Sequence, residues 1–188
     1  MKSIDQQTLL SQLETRIEAH LALARNEFLP ADVSTLLRPS DTGGWSIAQC
    51  LEHLNAYGRY YLPAIQNRLP KPGNSKTAKV FRSSWFGAYF TRMMEPTTGT
   101  RKIKAMKAYI PPVQLDAHAV VRDFITQQET LLALLRQSSQ CDLNRIRIPI
   151  SIAQFIRLKL GDVFQFLIAH NERHLQQAKR VGKELAKG

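Results

Sequence analysis

Residues 160–181, LGDVFQFLIAHNERHLQQAKRV, decide how the rest of the chain is read. At 3.6 residues per turn, Leu160, Val163, Phe164, Leu167, Asn171, Leu175 and Ala178 share one face, so the stretch reads as an amphipathic helix. His170 and His174 stand four apart on that face or at its flank, about one turn from each other, where two imidazoles can converge on one ion. Glu172 and Arg173 point elsewhere. Two readings stay open on spacing alone: the pair is satisfied in the core by backbone or water, or it ligates a metal. The glutamate that follows the first histidine in zincins is absent, and two imidazoles need a third ligand from elsewhere.

Working outward, residues 4–28 carry Leu10, Leu13, Ile17, Leu21, Ala24 and Phe28 at helical spacing. His20 lies within that face and reads as a core or boundary histidine rather than a ligand, with an outer role at the site as the alternative. Residues 30–45 form a loop with a short turn. Ser46 and Gln49 then make a capping box, with Trp45 placed to staple against Cys50. The helix they start runs to about Leu62, where Pro63 interrupts, with Ile47, Leu51, Leu54, Gly58 and Tyr61 inward. His53 sits at the edge of this stripe, near Cys50 and Tyr57. A third long helix follows Pro112, with Val121, Phe124, Ile125, Gln128, Leu131, Leu132 and Leu135 on one side and His118 at its boundary. Ser151 and Gln154 repeat the capping-box pattern before a short apolar segment, IAQFIRL.

Four amphipathic helices predict an all-α fold, a four-helix bundle. The 188 residues are read as one domain, with a long basic and aromatic insertion over about 63–112 between the second and third helices. Within it, Trp85, Phe86, Tyr89 and Phe90 are expected to anchor the insertion to the bundle; the competing reading is that they stack on bases. Between Lys71 and Lys107 nine lysines or arginines face one acid, Glu95, which accounts for most of the net charge of +11. Such a segment could attract nucleic acid, an anionic surface or an acidic substrate; the alternative is that it is only a solvated face. No recognition motif accompanies it, so nucleic-acid binding ranks below the other readings.

The composition is that of an ordinary globular protein: 44% hydrophobic, 22% charged. No apolar run is long enough to cross a bilayer, and no secretory signal is visible, so no membrane role is expected. Cys50 and Cys141 are isolated, which suits reduced thiols and a cytoplasmic location. Cys50 reads as a small buried hydrophobe.

Three pieces taken together resemble the DinB-like family of bacterial four-helix bundles: GGWSIAQCLEHLNAY (43–57), FLIAHNERHLQQAKRV (166–181), and the middle stretch from FRSSWFGAYFTRMM through KAMKAYIPP. The resemblance implies that His53 from the second helix joins His170 and His174 in binding a divalent metal. Zinc, nickel, iron and manganese all suit imidazole ligands. It further implies a metal-dependent enzyme acting on a small-molecule substrate, with a low-molecular-weight thiol as cosubstrate in some relatives, and a homodimer. The alternative is a bundle that holds metal or a small ligand without turnover. Asn171, Gln177 and Asp162 are the candidates for accepting the outer ring N–H groups.

Overall fold

The computed structural model describes residues 3–40, 43–70, 77–98, 104–151 and 153–185. Four long helices form the bundle: α1 (Gln6–Leu23), α3 (Ile47–Gln66), α5 (Ala117–Gln137) and α6 (Leu160–Leu185). Two short ones accompany them, α2 (Val33–Leu37) and α4 (Trp85–Met94). A π-helical turn, Ala24–Phe28, extends α1.

Local chemistry explains the starts. Asp5 caps α1 through the Thr8 amide at 2.9 Å, and Asp116 caps α5 through Ala119 at 3.0 Å. The capping box of α3 closes both ways: Ser46 Oγ accepts from the Gln49 amide, and Gln49 Oε1 accepts from the Ser46 amide. Helix α3 runs one turn beyond the expected stop at Leu62. Pro63 lies in its last turn, where a missing N–H costs one ladder bond and little else.

The order of neighbours follows no simple up-and-down path. Helix α3 packs mainly against α5 and α6, and α1 packs against the same two. The consecutive pairs α1/α3 and α5/α6 are therefore diagonal. The crossing places α3 and α6, which carry the three histidines, side by side.

The core is two apolar clusters, one around Leu13, Ile17, Leu135 and Phe164, the other around Leu51, Leu54, Phe124 and Leu175. Between them lies a belt of buried polar side chains: His20, His53, Asn55, Gln128, His170 and Asn171. Buried polar groups cost stability unless partnered. Asn55 Nδ2 donates to the Val120 carbonyl at 3.0 Å, and Asn171 Nδ2 donates to Gln128 Oε1 at 3.1 Å.

Two small antiparallel sheets decorate the bundle. Strand β1 (Ser3–Asp5) pairs with β2 (Val80–Arg82) in the insertion, with Ile4 opposite Phe81. Strands β3 (Arg147–Ile150) and β4 (Ala153–Lys159) form a hairpin. The Ser151/Gln154 pattern thus leads into a strand rather than a helix, because Ala153–Lys159 pairs with RIPI. The register slips between Pro149 and Ile150, where proline has no ladder N–H.

The insertion contains β2, α4 and a 3₁₀ turn, Lys107–Tyr109. Its anchoring differs from expectation. Trp85, Phe86 and Tyr89 are 66%, 53% and 53% exposed; of the four aromatics only Phe90 packs on the core. What holds α4 is polar. The buried Asp162 carboxylate accepts from the Ser83 hydroxyl, the Ser84 hydroxyl at 2.6 Å and the Ser84 amide at 3.0 Å. Ser84 Oγ in turn accepts from Gly87 N at 3.0 Å, capping α4. A Cβ on Gly87 would stand 2.1 Å from Asp162 Cγ, so glycine is required for this approach. Beyond α4, Arg16 clasps Glu95 and Glu172 together, at 2.8 and 2.6 Å. Of the basic segment, Lys71, Lys76, Arg101 and Lys102 lie outside the described residues; Lys79, Arg82, Arg92, Lys104 and Lys107 are exposed.

Candidate metal centre

His53 stands seven residues after the Ser46 cap, two turns into α3, facing α6. There it meets His170 and His174. The three ring centroids are 4.6–5.1 Å apart, and one nitrogen from each ring lies within 4.8 Å of the others. His53 Nε2 is 3.2 Å from His170 Nε2.

The outer nitrogens define the tautomers. His53 Nδ1 lies 2.7 Å from the Tyr109 carbonyl, which only accepts, so Nδ1 carries the proton and Nε2 presents a lone pair. His174 Nδ1 donates to Gln177 Oε1 at 3.1 Å, leaving its Nε2 equally bare. Among the described residues, His170 Nδ1 is buried without a partner. Burial is the first cause that keeps all three rings neutral. It lowers His53 against the Tyr109 bond, and takes His170 well below the usual range, with the neighbouring His174 and His53 rings and then Arg173 acting in the same direction. His174 falls to about 3, by burial and then by His53, with the Gln177 bond opposing.

This donor set fits a divalent cation. Two nitrogens each about 2.05 Å from a tetrahedral ion are about 3.3 Å apart, close to the His53–His170 separation. Without a cation, the two facing Nε2 atoms can share at most one proton, so the three inward nitrogens cannot all be paired with one another. An ion at the meeting point gives all three lone pairs a partner.

Aromatic rings hold the imidazoles in place. Trp45 lies over His174 at 5.8 Å and against His53 at 4.9 Å, rather than acting only as a staple. Tyr57 meets His53 and His170 edge-on, and Phe166 stacks on His170 at 5.7 Å. Burial pushes the Tyr57 phenol up to about 12, so it keeps its proton at neutral pH.

Of the expected acceptors, Gln177 takes the role. Asn171 bonds Gln128 instead, and Asp162 is committed to α4. The Tyr109 carbonyl had no signal in the sequence. Tyr57, one turn after His53 on the same face, had one. Cys50 is fully buried in the apolar cluster, and burial pushes its thiol up to about 12. His20 is also buried, lowered to about 3 by desolvation and then by Arg16, and it stands apart from the three clustered rings.

The three histidines open onto a cavity of about 1050 Å³. Arg173, read from the helix pattern as pointing elsewhere, is half-buried in its wall, with Nη1 donating to the Met93 carbonyl at 3.4 Å.

The chain belongs to the DinB superfamily, whose model matches residues 12–178. Among solved structures, it is similar to YfiT from Bacillus subtilis, described as a probable metal-dependent hydrolase with an unusual four-helix bundle topology. The TM-score is 0.54 at 16% identity, covering 96% of this chain and 87% of that one; likeness at this identity concerns the fold. No curated protein matches the sequence.

Proposed function

We propose that the protein is a divalent-metal-dependent enzyme acting on a small electrophile, with His53, His170 and His174 as the protein ligands. The observation that carries the reading is the convergence of three neutral imidazoles, two buried and His174 half-buried, at the wall of a large cavity. Three protein ligands leave a coordination position open, as catalytic sites do and structural ones do not. A cation held there supplies Lewis acidity and lowers the pKa of water or a thiol. Hydrolysis and transfer to a low-molecular-weight thiol are the two reactions this chemistry serves. YfiT's description favours the first for that protein. The chain's own groups do the rest. The Tyr109 carbonyl and Gln177 fix two imidazoles in the ligating tautomer. Tyr57 keeps a phenolic proton available for an oxygen that gains charge, and the apolar wall excludes water.

Near-stoichiometric metal in tag-free protein, lost in His170→Ala, supports the reading; failure to take up zinc, nickel, iron or manganese refutes it. A second reading, metal or ligand held without turnover, is favoured by one observation. Among the described residues lining the cavity, Glu184 is the only carboxylate, and it accepts from Ser40. Turnover of ester or thiol-acceptor substrates that stops on chelation excludes that reading. A homodimer and a cytoplasmic setting belong to the same proposal; sedimentation at micromolar concentration tests the first. Among the described residues, no helix is long and apolar enough to cross a membrane.

A further inference from the structure

Helix α4, WFGAYFTRMM, is apolar on both sides. Gly87, Phe90, Thr91 and Met94 share the side turned to the bundle. Trp85, Phe86, Ala88, Tyr89 and Arg92 lie on the opposite arc and are exposed. The outer rings pack on one another: Trp85 lies parallel to Tyr89 at 5.9 Å and meets Phe86 edge-on at 4.9 Å. A surface helix ordinarily turns a polar face to water, and this one turns a ridge of aromatic rings. The charge around the ridge has one sign. Over residues 77–94 the charged side chains are Lys79, Arg82 and Arg92, all basic and all exposed. In the strand that leads into α4, Val80 and Arg82 are exposed while Phe81 between them is buried. Lys159 adds a fourth cation, its Nζ donating to the Arg82 carbonyl at 2.6 Å.

We propose that the outer face of α4 rests on an anionic lipid bilayer, its three rings entering the boundary between headgroups and acyl chains and its cations meeting the lipid phosphates. The expectation of no membrane role came from the lack of a spanning stretch, and lying on a surface needs none. Aromatic rings flanked by lysine and arginine are the side chains that settle at that boundary. Two other occupants fit less well. A two-fold contact with a second copy sets the patch against itself, so cations face cations. Bases stack on open ring faces, whereas these rings cover one another's faces and edges.

The test is flotation of the tag-free full chain with vesicles of phosphatidylcholine alone and of phosphatidylcholine with about a third phosphatidylglycerol. Half of the protein should bind the anionic vesicles at lipid on the order of 1 mM or less, with neutral vesicles about tenfold weaker and the difference lost at high salt. Trp85→Ser with Phe86→Ser should weaken binding about tenfold, and Arg82→Gln with Arg92→Gln about tenfold on the anionic vesicles only. All four side chains are exposed, and unchanged thermal unfolding checks that the variants fold. Tryptophan emission should shift to the blue on binding, and Trp85→Phe should bind as well while losing most of that shift. No binding to anionic vesicles at millimolar lipid overturns the proposal, with no folding question attached. So does binding indifferent to the aromatic pair or to the lipid's charge. A dimer or a bound oligonucleotide that the aromatic pair abolishes, in protein that ignores vesicles, gives the face to a second copy or to nucleic acid and overturns it likewise. The inference does not rest on the metal reading: chelated protein should float as the untreated protein does, so flotation and metal content report on separate claims.

Discussion

His20 shows how much one buried ring costs in acid. Its folded pKa, about 3, lies below the ordinary 6.5. Above pH 6.5 the ring is neutral in both states and has no effect. As pH falls below that value, the unfolded chain takes the proton and the folded one refuses it. Stability is therefore lost at about 1.4 kcal/mol per pH unit for each such histidine, down toward the folded pKa. The three site rings, also lowered, steepen the loss in metal-free protein. Urea denaturation of chelated protein at pH 7.5, 6 and 5 checks this. His20→Gln should flatten the dependence by about one histidine's worth, and an identical slope in the variant contradicts the assignment. At this scale the sequence was informative where chemistry repeats with helical spacing. His170, His174 and the capped helix bearing His53 were all visible. The partners were less so. Gln177 follows His174 by three residues and was legible, whereas the Tyr109 carbonyl belongs to backbone 56 positions from His53 and depends on how the insertion returns.

Helix α4 is held by a carboxylate and two serines, not by its aromatic face. Asp162→Ala leaves Ser83, Ser84 and the start of α4 without their buried acceptor, a loss on the order of 3 kcal/mol. Gly87→Ala drives a Cβ into the same carboxylate and should destabilise comparably. Chemical denaturation and limited proteolysis at α4 read both; a neutral Gly87→Ala contradicts the packing. Trp85→Ala, by contrast, should change stability by no more than about 0.5 kcal/mol, since the ring is 66% exposed. A larger loss restores the anchoring role expected from composition. The four long helices were legible because each has a continuous apolar stripe. Composition alone cannot say whether Trp85, Phe86 and Tyr89 face in or out, because a ten-residue helix can be docked by either face. The β3–β4 hairpin was hidden by Ser151 and Gln154, whose spacing imitates a helix start while the residues that follow pair as a strand.

Across the whole molecule, the three histidines belong to a polar belt dividing two apolar clusters, and they meet because α3 and α6 are neighbours. Helical periodicity said which face of each helix is buried but not which helix it faces. The diagonal placement of α1 against α3 comes from the crossing between them and from contacts distant in sequence. A cation bound only by the folded bundle should stabilise it, by about 2.7 kcal/mol at a hundredfold excess over its dissociation constant. Thermal unfolding with and without added metal measures this, and no shift at saturating metal contradicts it. The most direct test of the central claim is calorimetric titration of tag-free, chelated protein with zinc, nickel, iron(II) and manganese, repeated in His53→Gln, His170→Gln and His174→Gln. One equivalent of at least one metal should bind per chain, with each single substitution greatly weakening uptake. Uptake of none of the four, or uptake indifferent to all three substitutions, contradicts it.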